Sequence, residues 1–221
     1  MKHLSIMHVP FLSLFCLILV SIFSSASKAA SVSDLLITEI MANPLAVSDT
    51  QGEWFELFNP TSESVNLSGL MLSDDGSNRH TISSANPLLV NPGSYFVMSR
   101  NGDSSLNGGF NADYVYSRFS LSNSQDQIIF SDTSGELLRL DYGAGFAPSG
   151  SSMELIDAVM LPANYAATST SFGSGDFGTP GLAGSFTQPI GVTPIPIPGA
   201  AWLMSAGLIG LISFIRKNKA V

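Results

Sequence analysis

The central part of this 221-residue chain is predicted to be all-β, because three features of its sequence agree. Apolar, β-branched and aromatic residues come in short runs; Gly, Asn, Ser, Asp and Pro separate the runs; and no segment of this part keeps a helical period. About 150 residues lie between two terminal apolar segments, which is enough for one core. We therefore expect a single β-sandwich or barrel domain over residues 31–185.

Six runs have the composition of strands, and turn-forming residues lie between them. The predicted strands cover residues 35–41, 53–59, 69–73, 94–99, 127–130 and 136–140. Residues 74–76 (Asp-Asp-Gly) and 91–93 (Asn-Pro-Gly) are typical turns, because proline presets φ near −65° and glycine tolerates positive φ. Residues 132–135 connect the last two runs, which we expect to form a hairpin.

The order of these motifs resembles the lamin tail domain family. In chain order the matching segments read ITEI at 37–40, EWFELFNP at 53–60, VNLSGL at 65–70, NPGSY at 91–95, LSNSQDQI at 121–128 and GTPG at 178–181. The resemblance implies an immunoglobulin-like β-sandwich that bacteria carry on exported proteins. Members of the family often have a tryptophan before the closing GTPG, and this chain departs from that pattern, with Tyr165 before the segment, which affects the expected local packing and not the fold.

Residues 1–30 are predicted to be a secretory signal peptide with a helical apolar region. A basic start precedes an uncharged apolar run at 9–23, and Ser27 and Ala29 give the small-x-small spacing that a signal peptidase accepts. Cleavage is expected after Ala29 or Ala30. The alternative is an uncleaved anchor helix, although the apolar run is near the lower limit for crossing a bilayer core of about 30 Å.

The only cysteine, Cys16, lies inside this signal segment. The mature chain would therefore contain no thiol, which excludes disulfides, cysteine-based zinc sites and a cysteine nucleophile. Lipid attachment at Cys16 is disfavoured, because the bulky Phe15 directly precedes it and apolar sequence follows.

Three segments follow the predicted domain. Residues 186–199 form a proline-rich linker, in which alternate prolines favour an extended backbone. Residues 200–215 carry no charge and are predicted to be a transmembrane helix, with Trp202 at the interface. Residues 216–221 contain Arg216, Lys217 and Lys219, a basic end that is expected to stay in the cytoplasm.

The end of the linker resembles the PEP-CTERM family of sorting tails, in its Val-Pro-Leu-Pro-Ala variant. The corresponding residues are Ile195, Pro196, Ile197, Pro198 and Gly199. The resemblance implies recognition by an exosortase-type membrane protease and transfer to the cell surface, in bacteria that build extracellular polysaccharide. The alternative is a plain single-pass membrane anchor.

The part of the chain from residue 31 to residue 199 is strongly acidic. It holds 17 acidic residues and only four cations, all arginine, so its formal charge is 4 − 17 = −13. Nucleic-acid binding is disfavoured, because affinity for phosphate backbones depends on Lys and Arg. Solubility outside the cell and a specific role in binding cations both remain as interpretations of this charge.

Few residues of this chain could serve in catalysis or bind a metal ion. Glu39, Glu53 and Glu56 could pair as a general acid and base, or could be structural carboxylates that hold backbone N–H groups. His80 is the only histidine outside the signal peptide, so any Ser-His-Asp triad would have to use it; we expect a solvated histidine in a loop over 75–81. Zinc, iron and copper sites are disfavoured, because they usually need several His or Cys ligands and the mature chain has only one histidine and no cysteine.

Calcium is the one metal left open, and no other cofactor is predicted. Two oxygen-rich stretches contain the candidate ligands, Asp74 and Asp75 with Ser77 and Asn78 in one, and Asp103 and Asp113 with Asn107 and Asn111 in the other. Neither stretch has EF-hand spacing, so ordinary polar turns are the alternative. Residues 168–179, rich in small side chains, are expected to be a mobile loop that closes the domain.

The sequence therefore predicts an exported, non-enzymatic surface or extracellular-matrix protein that reaches the cell envelope through an inner-membrane intermediate. Its expected partners are the membrane, an exosortase-type protease, and exopolysaccharide or surface proteins. One alternative is a carbohydrate- or protein-binding adhesion module that uses Tyr114, Tyr116 and Phe119 as exposed aromatic residues. A second alternative is an extracellular hydrolase that uses the glutamates.

Overall fold

The computed structural model describes residues 29–184, which form an all-β domain. Its strands are β1 Leu36–Met41, β2 Trp54–Phe58, β3 Val65–Asn66, β4 Met71–Ser73, β5 Arg79–Thr81, β6 Leu89–Val90, β7 Tyr95–Ser99, β8 Tyr114–Val115, β9 Asp126–Asp132, β10 Gly135–Tyr142, β11 Met153–Leu155, β12 Tyr165–Ala167, β13 Ser171–Phe172 and β14 Asp176–Phe177. The helical elements in this range are the single turn α1, Asp49–Gly52, and the 3-10 turns Val32–Asp34 and Pro162–Asn164.

Two sheets make up the body of the domain. One has the strand order β12-β11-β1-β2-β7-β8 and the other β10-β9-β4-β5, while β13–β14 and β3–β6 form two small ribbons. The pairs are antiparallel except β7 with β8. This arrangement is consistent with the predicted immunoglobulin-like sandwich, and it confirms the all-β expectation.

The main core lies between the two sheets, because alternate residues of each strand point to the same face. The side chains that enter it include Ile37 and Ile40 of β1, Phe55 and Leu57 of β2, Phe96 and Met98 of β7, and Ile128 and Phe130 of β9. Phe55 is central, with the rings of Tyr116, Phe119 and Phe130 between 5.8 and 6.4 Å from its own. Such aromatic pairs add to the free energy of burial.

The prediction that Tyr116 and Phe119 are exposed is therefore wrong. Each is only 2% exposed, and both rings pack against Phe55. The chain bends between them at Arg118, which has a left-handed φ of 56°, and both rings enter the core. Tyr114, the third residue of the predicted aromatic set, is partly buried.

The six predicted strands are confirmed as β1, β2, β4, β7, β9 and β10, with the last two forming the expected hairpin. Two predicted loops are wrong in part. Residues 79–81 of the predicted loop 75–81 form β5, and the predicted loop 168–179 contains the hairpin β13–β14. Gly173 and Gly175, with φ of 46° and 118°, supply the positive dihedrals that the turn of this hairpin requires.

The predicted signal peptide up to residue 28, the linker from residue 186, the membrane helix 200–215 and the basic tail 216–221 lie outside the described residues. Between residues 29 and 184, no helix is both long and apolar enough to cross a membrane. Ala29 and Ala30, the predicted cleavage residues, begin the described range ahead of the first 3-10 turn.

Candidate functional site

Three buried glutamates lie side by side on the outer face of the six-stranded sheet. Glu39 of β1 is opposite Glu154 of β11 on one side and opposite Glu56 of β2 on the other. Each is at most 2% exposed. Because like charges directly opposite each other destabilise a sheet, this glutamate row needs compensating contacts.

A β-bulge in β1 helps to shape the glutamate row. The register between β1 and β2 shifts between Ile37 and Glu39, so that Thr38 is an extra residue in β1. The Thr38 hydroxyl donates a hydrogen bond of 2.7 Å to the Glu56 carboxyl. The bulge thus brings both a hydroxyl donor and a second carboxyl group to Glu56.

The segment 178–184, which we call the closing segment, covers the glutamate row. Thr179 donates two hydrogen bonds to Glu39, from its backbone N–H at 2.9 Å and from its hydroxyl at 2.7 Å. The backbone N–H of Gly181 donates to Glu56 at 2.7 Å, and the Ser152 hydroxyl donates to Glu39. Backbone N–H groups of the GTPG motif therefore satisfy the buried carboxyl groups of Glu39 and Glu56.

The local structure requires glycine at both outer positions of GTPG. A Cβ at Gly178 would lie 2.9 Å from the ring of Phe172 and 3.1 Å from both Glu39 and Trp54. Gly181 has a φ of 82°, which side-chain-bearing residues rarely adopt. At the end of the segment, Gly184 lies against the Glu154 carboxyl with no room for a Cβ.

Burial governs the protonation of the row. It raises the pKa of Glu56 to about 9, against hydrogen bonds from Thr38 and Gly181 that act to lower it. Burial also raises the pKa of Glu39, against the hydrogen bonds from Ser152 and Thr179. With a pKa of about 9, the Glu56 carboxyl is neutral at pH 7, which removes much of its repulsion with Glu39.

Glu53, the third candidate from the sequence, lies in a different place. It follows α1, and its carboxyl group accepts hydrogen bonds from Arg100 at 3.2 Å and from the Leu121 backbone at 3.1 Å. Burial raises its pKa to about 7. The structure thus brings Glu39 and Glu56 together and leaves Glu53 apart. Glu154 was missed from sequence, since the three-residue strand that carries it has no distinctive pattern.

His80 lies in β5 and both nitrogens of its ring are within hydrogen-bond distance of other residues, so its predicted place in a solvated loop is wrong. Its Nδ1 accepts a hydrogen bond from the Ser117 backbone at 3.2 Å, which assigns the ring proton to Nε2, 2.8 Å from the Tyr114 hydroxyl. Burial lowers the pKa of the ring. The Ser117 hydroxyl is 3.4 Å from the same Nδ1, which already has a donor, so this pair lacks the geometry of a nucleophile and its base.

The four calcium candidates each have protein partners. Asp74 accepts two hydrogen bonds from Asn78, and Asp75 forms a bidentate pair with Arg139 at 2.6 and 3.0 Å, which lowers the pKa of Asp75. Asp103 accepts from the backbone and hydroxyl of Ser105, and Asp113 accepts from the Val97 backbone at 2.8 Å. In the range 29–184, no three His, Cys, Asp or Glu side chains are grouped to hold a metal ion. Calcium binding at these two stretches stays a prediction.

A cleft of about 530 Å³ opens beside the closing segment. Four stretches of chain line it, namely Tyr95 at the start of β7, the loop 109–113, the stretch 170–172 and the closing segment itself. Asp113 is the one charged residue among those that line it. The cleft therefore differs from the glutamate row, whose carboxyl groups are beneath the closing segment.

A small second core supports the walls of this cleft. Trp54, Phe110 and Phe172 form a triangle with ring separations of 5.7, 6.1 and 6.2 Å. Phe172 is the aromatic ring closest to Gly178 of GTPG, since a Cβ there would lie 2.9 Å from it. Tyr165 belongs to the main core, where its hydroxyl donates to the Ile37 carbonyl at 2.6 Å.

The sequence model of one protein family, described as Lamin Tail Domain, matches residues 28–144, which are 117 of the 221 residues. The match ends before β11, although β11 and β12 complete the six-stranded sheet. No curated protein matches the chain in sequence.

Proposed function

This chain belongs to the lamin tail domain family, and from that premise we propose that it is an exported, non-enzymatic protein of the bacterial cell surface or extracellular matrix. The proposal includes sorting by an exosortase-type protease at the segment 195–199. The observation that carries it is the position of one β-domain between a secretory signal pattern at 1–30 and a proline, apolar and basic tail at 186–221.

The contacts of the glutamates support a structural role for them. Glu39 and Glu56 accept hydrogen bonds from the backbone of Thr179 and Gly181, which lie over them, and Glu53 binds Arg100. A general acid or base needs access to substrate within hydrogen-bond distance. The engagement of these carboxyl groups favours a display or binding module over the hydrolase alternative.

Two measurements on the producing cells test the proposal. Cell fractionation is expected to find the protein in the envelope or medium, and mass spectrometry of the mature chain is expected to show a new N-terminus after Ala29 or Ala30. A C-terminus near Gly199 would support exosortase-type processing, whereas an intact residue 221 in the envelope would support the plain anchor. A cytosolic chain with both ends intact would overturn the proposal.

A matched pair of variants separates sorting from export. Replacing Pro196 and Pro198 together by Ala removes both prolines of the motif, whereas replacing Pro189 and Pro194 by Ala changes the linker outside it. We expect the first variant to remain in the membrane with an uncut tail and the second to be processed as the parent. Equal processing of both would count against recognition of residues 195–199.

A further inference from the structure

We propose that the cleft beside the closing segment binds uncharged pyranose residues of an extracellular polysaccharide. The proposal deepens the proposed function and rests on it, because an exported protein meets such polymers outside the cell. It assigns a ligand class to a site built by residues 95, 109–113, 170–172 and 178–182.

The size and polarity of the cleft suit a sugar. About 530 Å³ falls within the range of 300–1,000 Å³ typical of small-molecule sites. A pyranose ring presents apolar C–H faces and a rim of hydroxyl groups. The cleft offers both kinds of surface, with the partly buried rings of Tyr95 and Phe172 beside the polar side chains of Asn111, Asp113 and Ser171.

Several polar groups of the cleft remain available. Within the described part of the chain, no hydrogen bond engages the side chains of Asn111 and Ser171 or the Tyr95 hydroxyl. Asp113 uses one carboxyl oxygen to accept from the Val97 backbone, which leaves the second oxygen for a ligand hydroxyl. Amide, carboxylate and hydroxyl groups together can donate to and accept from sugar hydroxyls.

The negative charge of the cleft and of the domain disfavours acidic polysaccharides. Asp113 is the one charged residue that lines the cleft, and residues 31–199 carry a formal charge of −13. An acidic polysaccharide would meet repulsion without a cation to pair its carboxylate or sulfate groups. An uncharged polysaccharide therefore suits the cleft better than an acidic one.

The walls of the cleft are held to one another by close backbone packing and hydrogen bonds. Gly109 and Gly173 pack backbone to backbone, because a Cβ at Gly109 would lie 2.7 Å from the Gly173 Cα, and the Ser174 N–H donates to the Gly108 carbonyl at 2.8 Å. The Asn107 amide holds its loop through bonds to Asn101, Gly109 and Phe110. Rigid walls lower the entropy cost of binding.

The backbone of the closing segment is already bonded, which disfavours a peptide added as a strand. The N–H groups of Thr179 and Gly181 donate to the glutamate row, that of Gly178 to the Thr170 carbonyl, and that of Leu182 to the Thr179 carbonyl. Strand addition needs a free row of such groups along an edge. Side-chain recognition of a sugar has no such requirement.

The test uses an array of neutral oligosaccharides, uronic acid oligosaccharides and proline-rich peptides. The full chain is purified in a detergent whose headgroup is not a sugar. Asn111→Ala removes a free amide from the cleft, Ser171→Trp fills the cleft, and Asn86→Ala removes an exposed amide from a loop that does not line it. Thermal melts of all three variants check that each is folded.

We expect the parent chain and Asn86→Ala to bind neutral oligosaccharides equally. Asn111→Ala should bind about tenfold more weakly, as expected for the loss of one hydrogen bond, and Ser171→Trp should lose binding. Binding to acidic oligosaccharides or peptides alone, neutral binding unchanged in both cleft variants, or no binding on the array would each overturn the inference. The export measurements are independent of this result, so either proposal can fail alone.

Discussion

Thr179 and Glu39 are 140 residues apart in sequence and joined by two hydrogen bonds in the fold, one from the Thr179 backbone and one from its hydroxyl. Through this contact the end of the domain is fastened to its first strand. The same closing segment forms one wall of the cleft. The stability of the glutamate row and the shape of the cleft are therefore linked.

Thr179→Val tests the hydroxyl half of this contact. Valine has nearly the shape of threonine but leaves the buried Glu39 carboxyl without one donor, so we expect a loss of about 1–2 kcal/mol in the free energy of unfolding. Urea unfolding measures the change. Thr81→Val, at an exposed position of β5, is the control and should change stability by less than about 0.5 kcal/mol. Equal effects at both positions would contradict the role of the contact.

The raised pKa of Glu56 predicts a pH dependence of stability. The folded chain keeps this proton up to about pH 9, whereas an unfolded glutamate loses it near pH 4.5, so the folded state binds more protons between these values. This contribution is complete below pH 4.5 and is lost as the pH rises through 9. Glu53, with a pKa of about 7, likewise makes the folded state less stable as the pH rises, but at lower pH. His80 has a lowered pKa, so below pH 6.5 it makes the folded state more stable as the pH rises.

Urea unfolding at pH 7 and pH 9 tests the glutamate row, because His80 is mostly neutral in both folded and unfolded chains above pH 6.5 and Glu53, with a pKa of about 7, keeps only a small part of its contribution there. We expect the free energy of unfolding to fall by on the order of 2 kcal/mol over this range. Glu56→Gln should remove most of the fall, and Glu63→Gln, at an exposed position, should retain it. A parent chain that is equally stable at both pH values would show that the row is not protonated.

Six of the fourteen strands, including the five longest, and the family were predictable from sequence, because each depends on local composition or on the order of short motifs. The glutamate row was not. Nothing in the run 37–40 indicates that Glu39 meets residues 152 and 179, since these contacts join distant parts of the chain. Tyr116 and Phe119 were misplaced because the dihedral of Arg118 sets which way their rings point, and composition does not encode it.

Gly178→Ala tests the fit of the closing segment. The added methyl would lie 2.9 Å from Phe172 and 3.1 Å from Trp54, so the segment or the small core must shift. We expect a loss of about 1–3 kcal/mol in the free energy of unfolding, together with weaker sugar binding in the cleft. Gly143→Ala is the control, because a Cβ there meets open space. An unchanged melting temperature for Gly178→Ala would contradict the close packing.

Two core tyrosines predict opposite responses to the same substitution. The Tyr116 hydroxyl is buried without a hydrogen-bond partner among the described residues, whereas the Tyr165 hydroxyl donates to the Ile37 carbonyl at 2.6 Å. Removing an unpaired buried hydroxyl relieves a desolvation cost, so Tyr116→Phe should stabilise the domain by about 1 kcal/mol. Tyr165→Phe leaves a buried carbonyl with one bond fewer and should destabilise it by about 1–2 kcal/mol. Urea unfolding of the two variants beside the parent measures both changes, and a loss of stability in Tyr116→Phe equal to that in Tyr165→Phe would mean that the Tyr116 hydroxyl has a partner in solution.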